Sequence, residues 1–319
     1  KAKPGTPVRN LPRGKNIIIS EDKKEIIAKS SGYISFVNNK INISPILEIH
    51  GDVGNSTGDI VFNGAVNISG NVLNGFSVTA DGDITVNGVV EGAAISSGSH
   101  VFLKNGVQGM DKAVIKSGGD IIAKYIEHSE VVAGNNIAAE SIMHSKVTCY
   151  GQLGLYGKNA SLIGGATSVK SYVKAKYIGS PMSTVTEIRV GNDPLMVSEY
   201  ERLSRQMNDY RQALLKEEER LEKLNRLLES APNNEKVQNS IDSAMSSKTY
   251  VEEQVLDTEN ELRSVIGKLS GKKGFVVAEN KVYPGVKIII GNSMLIIKEE
   301  MERVTLYNSE NGIKISNLP

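Results

Sequence analysis

Short apolar stretches recur at nearly constant spacing between residues 77 and 165. Each follows a glycine turn, as in Gly82-Asp83-Ile84 and Gly119-Asp120-Ile121. The apolar anchors Ile121, Ile137 and Leu153 are sixteen residues apart. A constant period with small turn residues at one phase is typical of a solenoid. Further β-rich pieces lie between the anchors, so the pattern predicts a parallel β-helix with about three short strands per turn.

The regular coils are predicted to begin near Glu48. Gly58-Asp59-Ile60 is similar to Gly82-Asp83-Ile84 at a spacing of twenty-four, which predicts coils of sixteen to twenty-four residues. Alternate side chains of a strand point inward. The predicted inward set is Ile60, Phe62, Val66, Ile68, Val78, Ile84, Val86, Ile95, Val101, Leu103, Val114, Ile121, Ile126, Val131, Ile137, Ile142, Val147 and Leu153.

A change of composition at Asp193-Pro194 begins a different kind of segment. Heptad positions then recur at alternating steps of three and four, over residues 196–228 and again over 237–269, and most of them are apolar. This heptad pattern predicts two helices of about 33 residues each, separated where Pro232 breaks the run. The two runs together predict an antiparallel coiled-coil hairpin.

Two local patterns refine the boundaries of that hairpin. Ser198 with Glu201 has the form of a capping box and predicts that the first helix starts there. Residues 187–191 before the hairpin are similar to residues 287–291 after it. Both are therefore expected at one strand position in successive coils, with the hairpin inserted between them.

The predicted architecture is mainly β, a single-stranded parallel β-helix with an inserted antiparallel helical hairpin. Residues 1–49 are predicted to be a Pro-rich linker and a β-rich lead-in that covers the first coil. The β-helix itself is placed at 50–193, and the coiled-coil hairpin at 194–270. Residues 271–319 are expected to form the final coil and a C-terminal cap.

Composition excludes several classes of function. The net charge of +1 creates no overall electrostatic field that would attract nucleic acid. No apolar run approaches the roughly 18 residues that a membrane span requires. Aromatic residues make up only 5% of the chain and Trp is absent, which favours a stacked aliphatic core. The single cysteine, Cys149, excludes an intramolecular disulfide, fits a reducing compartment and is expected to face inward.

His128 and His144 are the one pair of residues whose spacing suggests chemistry. They are sixteen residues apart, so they should stack in adjacent coils about 4.8 Å apart. With Glu127 or Glu130 nearby, they could bind a metal or titrate together. An exterior ladder of two solvated imidazoles is the favoured interpretation, because a third ligand at fixed spacing is missing, and no cofactor is expected.

The outer faces of the hairpin are rich in charge. They are either a surface for a protein partner or simply solvated, and they could also join two copies of the chain. The candidate partner residues are Glu217, Arg220, Lys223, Arg226, Glu252 and Glu259.

An ordered string of short pieces resembles the flagellar assembly protein A family. The pieces are Gly51-Asp52-Val53, Thr57 to Gly64, Val66 to Val72, Ala80 to Ala93, Ala123 to Glu127, Ile178-Gly179-Ser180, Thr186 to Gly191 and Val282 to Val286. The string covers nearly all of the chain from about Pro4, although the family's usual N-terminal domain is missing from it. The resemblance implies a right-handed β-helix with a coiled-coil insertion in a cytoplasmic bacterial protein. It also implies a link to flagellar assembly and cell-pole organisation through protein partners, and no catalytic residue carries over.

The expected function is that of a non-enzymatic scaffold that acts through protein contacts. One alternative is a polysaccharide-binding or polysaccharide-cleaving β-helix, which would need aromatic platforms and clustered carboxylates on one face. The other is a self-polymerising element similar to the bactofilins, whose β-helices join end to end.

Overall fold

The chain folds into two compact units of different secondary structure. The computed structural model describes residues 13–22, 24–30, 32–230, 234–269, 274–309 and 311–318. One unit comprises Lys1–Gly191 with Lys273–Pro319 and is built of strands, and the other is the helical Asn192–Lys272. Most of the predicted Pro-rich linker, including Pro4, Pro7 and Pro12, lies outside the described residues.

The β unit consists of a lead-in, a solenoid and a tail. The lead-in strands are β1 (Ile17–Ile19), β2 (Ile26–Ala28), β3 (Tyr33–Val37) and β4 (Lys40–Ser44). The solenoid strands before the helices are β5 (Ile46–Ile49), β6 (Ile60–Phe62), β7 (Ala65–Ile68), β8 (Ser77–Ala80), β9 (Ile84–Val86), β10 (Val90–Glu91), β11 (Ala94–Ser97), β12 (Val101–Leu103), β13 (Val107–Ser117), β14 (Ile121–Ala123), β15 (Tyr125–Ala133), β16 (Ile137–Ala139), β17 (Ser141–Cys149), β18 (Leu153–Leu155), β19 (Ser161–Val169), β20 (Tyr172–Ile178) and β21 (Thr186–Val190). After the helices come β22 (Phe275–Val282) and β23 (Val286–Ile290), and then the tail strands β24 (Ser293–Ile296), β25 (Met301–Ser309) and β26 (Gly312–Asn317).

The solenoid is a parallel β-helix of about eight turns. Its strands stack in three columns, and each turn contributes one strand or bridge to every column. Long strands such as β15 and β17 bend at a corner and belong to two columns at once. The predictions of parallel coils and of three strand positions per turn are confirmed.

The anchors read from the sequence form one continuous ladder. Ile84 pairs with Val101, Val101 with Ile121, Ile121 with Ile137 and Ile137 with Leu153, all in parallel register. All five side chains are fully buried, and they belong to a single core that runs the length of the solenoid. Each turn buries its apolar side chains only between its two neighbours, as expected of a repeat protein.

The predicted coil of twenty-four residues is wrong. Ile60 pairs with Val78, eighteen residues later, whereas Ile84 lies in a different column and pairs with Val66. The Gly-Asp-Ile motif therefore occurs at the start of strands on two different faces. Similar turn chemistry at two corners produced the apparent long spacing.

Most of the predicted inward residues are buried, but Val114 is not. Its neighbours Ala113 and Ile115 point into the core instead. Met110 and Asp111 both have positive φ, and the pairing of β13 with β15 shifts register between Gln108 and Ala113. This irregularity changes which residues of the following segment face inward.

The lead-in forms two antiparallel hairpins, β1–β2 and β3–β4, in sheets separate from the solenoid. The predicted turn between β3 and β4 is confirmed, since Asn38 and Asn39 both have positive φ, as a tight hairpin turn requires. The lead-in covers the first coil incompletely, because inward residues of β5 and β6 remain partly exposed.

The tail closes the other end of the solenoid. β24 pairs antiparallel with β23, and β25 pairs antiparallel with β22. β26 then adds to the outside of β25. The strand edges of the final turn are therefore paired with the tail.

The helical unit contains α1 (Pro194–Ser230) and α2 (Glu235–Lys268). The predicted capping box at Ser198 is wrong, because α1 begins four residues earlier. Asp193 caps it by accepting a hydrogen bond from the Leu195 N–H at 3.0 Å, and Pro194 occupies the first helical position, where a missing N–H is harmless. α2 is capped by Asn234, whereas Pro232 and Asn233 of the predicted break lie outside the described residues.

The two helices contact each other, and we call the residues at their predicted heptad positions the seam. Of the twenty seam residues, only Tyr200 is more than about a third exposed, and Leu203, Met207, Ile241 and Ala244 are buried. The seam residues are Met196, Tyr200, Leu203, Met207, Tyr210, Leu214, Glu217, Leu221, Leu224, Leu228, Val237, Ile241, Ala244, Lys248, Val251, Val255, Thr258, Leu262, Val265 and Leu269. Tyr210 Oη lies 3.4 Å from Gln254 Oε1, and Glu218 Oε1 lies 3.1 Å from Lys248 Nζ. Contacts therefore advance along α1 while they retreat along α2.

The insertion point interrupts the sequence but not the strand ladder. Ile188 of β21 pairs directly with Ile288 of β23, and Val173 of β20 with Val276 of β22. The predicted equivalence of residues 187–191 and 287–291 is confirmed.

Candidate functional site

The two candidate histidines lie at a corner where the backbone takes an unusual conformation. His128 has φ 46° and His144 has φ 48°, in the left-handed region that side chains rarely adopt. Asp111 in the preceding turn and Gly164 in the following turn have positive φ as well. We call Asp111, His128, His144 and Gly164 the histidine corner.

The imidazole rings form the predicted ladder. The His128 and His144 ring centroids are 5.1 Å apart, with an angle of 24° between the ring planes. His128 Nδ1 lies 3.0 Å from Asp111 Oδ1. A Cβ on Gly164 would lie 2.6 Å from His144 Nδ1, so the glycine leaves room for the ring above it. Both histidines are exposed.

This geometry is poor for a shared metal ion. The nitrogen lone pairs lie in the ring planes, and in stacked rings they point side by side rather than converge on one point. Glu130, one of the two predicted acidic neighbours, is in an ion pair with Lys146, with 3.0 Å between Oε1 and Nζ. Within the described part of the chain, no three His, Cys, Asp or Glu side chains form a group that could hold a metal.

Buried hydroxyls stabilise the backbone of the histidine corner from inside. Ser129 Oγ donates to the Glu127 carbonyl at 2.7 Å, and Ser145 Oγ donates to the Met143 carbonyl at 2.8 Å. The Ser129 N–H in turn donates to Ser145 Oγ. These hydrogen bonds replace the strand-to-strand hydrogen bonds that the sharp bend interrupts. They are sufficient to explain the backbone conformation of the histidine corner as a structural feature.

A second ladder of polar side chains was missed by sequence reasoning. Asp83 accepts from the His100 N–H, His100 Nδ1 from the Asp120 N–H, Asp120 from the Asn136 N–H and Asn136 from the Gln152 N–H, at 2.9 to 3.1 Å. Each side chain therefore caps the backbone of the following turn. The recurrence of Asp, Asn or His just after the corner glycines was the available signal.

The candidate partner residues of the helices are mostly exposed and mostly paired within the helical unit. Arg220 lies 3.4 Å from Glu217, and Arg226 lies 2.5 Å from Glu222. Arg263 contacts Glu259 at 2.8 Å, and Lys248 contacts Glu252 at 3.6 Å. Arg220, Lys223, Arg226 and Glu252 are exposed, whereas Glu217 and Glu259 are half-buried beside the seam.

Comparison with models of protein families identifies the family of this chain. The family model of the Flagellar Assembly Protein A β-solenoid domain matches residues 45–313. The chain belongs to this family. A search of curated proteins and a search of solved structures each found no match.

The family match begins where the solenoid begins and runs through the helices to the tail. It therefore covers the solenoid core, the histidine corner and both helices of this Flagellar Assembly Protein A member. The lead-in hairpins precede it. No helix in the described ranges has the length and apolar character needed to cross a membrane.

Cys149 of this family member occupies a position that alanine fills in the preceding turn and serine in the two turns before that. It lies in the same column as Ser117 and Ser97, and its thiol contacts the carbonyls of Asn135 and Gln152. The side chain is fully buried, as predicted. Burial raises the pKa of the Cys149 thiol to about 11, so almost no thiolate is present at neutral pH.

The polar ladder of this family member predicts that the contribution of Asp83 to the free energy of unfolding depends on pH. Hydrogen bonds from the Ser99 side chain and the His100 N–H lower the pKa of this carboxyl. Because the folded pKa lies below the ordinary value of about 3.9, the stabilisation is complete above that pH and lost as pH falls through the folded pKa. Asp83→Asn should lower the free energy of unfolding by about 0.5 kcal/mol at neutral pH, because the group is partly solvated.

Urea unfolding of both proteins between neutral and acidic pH tests the Asp83 prediction. The difference between wild type and Asp83→Asn should shrink towards zero below the folded pKa. Asp81→Asn, at a neighbouring exposed carboxylate, serves as the control. A difference that stays constant at every pH would contradict the assignment.

Lys248 interrupts the apolar seam of the helical unit. Its Nζ contacts Glu218 and Glu252, although heptad spacing places the side chain between the helices. A polar residue at such a position fixes register at a cost in stability. Lys248→Leu should therefore raise the melting temperature of the helical signal by a few degrees. Lys236→Leu, at an exposed position of α2, should change it little, and a lower melting temperature for Lys248→Leu would contradict the seam assignment.

Proposed function

We propose that this chain is a non-enzymatic scaffold in flagellar assembly or cell-pole organisation, acting through protein–protein contacts in the cytoplasm. The family membership supports the flagellar association. We further propose that the solenoid is right-handed and that α1 and α2 form an antiparallel coiled-coil hairpin. The seam burial and the opposed order of interhelical contacts support the hairpin.

The observation that carries the proposal is the independence of the helical unit. The solenoid turns before and after it pair with each other directly, so the ladder needs no contribution from the helices. About a quarter of the chain nevertheless lies in this unit, and its outer faces are charged. A long charged pair of helices that the solenoid does not require is suited to binding a partner.

The tail argues against the alternative of continuous end-to-end polymerisation. β24 and β25 occupy the strand edges that another solenoid would need at the C-terminal end. Strand edges covered in this way cannot accept further strands.

Charge reversal on α1 tests the proposal. The triple variant Arg220→Glu, Lys223→Glu and Arg226→Glu should reduce the capture of partner proteins from lysates of the source cells at least about tenfold. The matched control reverses three exposed solenoid lysines, Lys104, Lys124 and Lys158, and has the same net charge. Equal losses in both triple variants would indicate a general charge effect, and no loss in either would refute the role of α1.

A further inference from the structure

The two ends of the solenoid differ in how well they are covered. In the last turn the inward residues are fully buried beneath the tail, including Val276, Ile288 and Ile290. In the first turn Leu47, Ile49, Ile60 and Phe62 remain partly exposed. Their partners in the second turn are Val66, Ile68, Val78 and Ala80, and all four are buried. The exposure at the first turn therefore belongs to the end of the stack.

The first-turn strands also have free edges. The carbonyls of Pro45 and Ile49 accept hydrogen bonds from the N–H groups of Ala65 and Ser69. Peptide groups alternate in direction along a strand, so those of Glu48 point to the opposite side. In β6 the Phe62 carbonyl accepts from the Asp81 N–H, which leaves the polar groups of Val61 facing outward along the solenoid axis. In the described ranges β5 pairs only with β7 and β6 only with β8, and both partners lie on the other side.

Exposed apolar side chains lie on β6 itself and on the lead-in strand β3, which precedes β5 in the chain. The lead-in strand β3 exposes four large apolar side chains, and Val61 on β6 is 81% exposed. The exposed residues of β3 are Tyr33, Ile34, Phe36 and Val37. Unpaired strand edges, here on a strand that also exposes Val61, are a template for another chain.

Charge and geometry identify the partner as the same end of a second copy. The lead-in, residues 13–45, carries six basic and three acidic residues, whereas the first coil, residues 46–64, carries three acidic residues and no lysine or arginine. In a two-fold arrangement the basic lead-in of each copy can face the acidic coil of the other. The last turn of the solenoid offers no equivalent edge, because β22 and β23 are paired with the tail.

We infer that the N-terminal ends of two copies dock against each other through the free edges of β5 and β6. The same surface is used on both copies, so the contact closes after one dimer and does not propagate into a fibre. The scaffold would then present two helical units per assembly. This inference goes beyond the proposed function and does not depend on what the helices bind.

Proline at Val61 tests the inference with little effect on the solenoid itself. Val61→Pro removes an N–H that faces the free edge, and an edge strand tolerates proline at such a position. Val61→Thr keeps the N–H and the shape of the side chain, so it is the matched control. In sedimentation velocity over a wide concentration range, the wild type and Val61→Thr should dimerise, and Val61→Pro should dimerise at least about tenfold more weakly.

Amide hydrogen exchange provides a second readout that does not depend on a variant. The Val61 and Glu48 amides of the wild type should become more protected as protein concentration rises. Amides that are free at all concentrations, or a wild type that stays monomeric, would overturn the inference. Dimerisation that survives Val61→Pro but is lost when residues 195–269 are replaced by a Gly/Ser linker would overturn it too, while leaving the proposed role of the helices intact.

Discussion

Gly165→Val is expected to lower the free energy of unfolding of the solenoid by about 3 to 5 kcal/mol. Gly165 has φ +77°, and a Cβ there would lie 2.2 Å from the Ser145 carbonyl oxygen. The neighbouring atom is backbone, so no side-chain rotation can relieve the contact. A β-branched residue also disfavours the left-handed conformation. Urea unfolding followed by far-UV circular dichroism measures the change.

Gly75→Val is the matched control for the Gly165 prediction. Gly75 has φ +86°, but no atom outside its immediate neighbours lies within 4 Å of a built Cβ. The control therefore carries the conformational cost without the clash, and its loss should be about 1 to 2 kcal/mol. Equal losses in the two variants would show that close stacking of Gly165 on the Ser145 carbonyl is not the cause.

Ile142→Ala is expected to destabilise the solenoid by about 2 to 5 kcal/mol. Ile142 is fully buried and lies in the ladder between Ile126 and Leu162. Turns on both sides hold the backbone in place, so the cavity cannot collapse fully. Met143→Ala, at the adjacent outward-facing position, should cost less than about 1 kcal/mol. A similar cost for both substitutions would contradict the inward assignment of Ile142.

The sequence was sufficient to predict the solenoid where side-chain alternation and period agree. Ile121, Ile137 and Leu153 repeat at a constant spacing because their turns have equal corners. Prediction failed where a corner changed. The bend at Met110 and Asp111 made Val114 an outward residue, and the shared turn chemistry of Asp59 and Asp83 concealed that they belong to different faces.

The candidate site was predictable to the same degree. The equal spacing of His128 and His144 gave their stacking, because identical turns bring equivalent positions together. The contact of His128 with Asp111 was not foreseen, since it depends on the irregular register of β13. The start of α1 was also missed, because Pro194 and Asp193 form a local cap that the heptad pattern does not report.

Removal of the helical unit tests the central claim most directly. Residues 195–269 are replaced by a short Gly/Ser linker, and partner capture from lysates of the source cells is compared with that of the intact chain. Because the strand ladder passes directly from β21 to β23, the shortened protein should keep its β-type circular dichroism spectrum. The account predicts that its captured partners are lost while the solenoid stays folded. Capture of the same partners in equal amounts by a folded, shortened chain would contradict it.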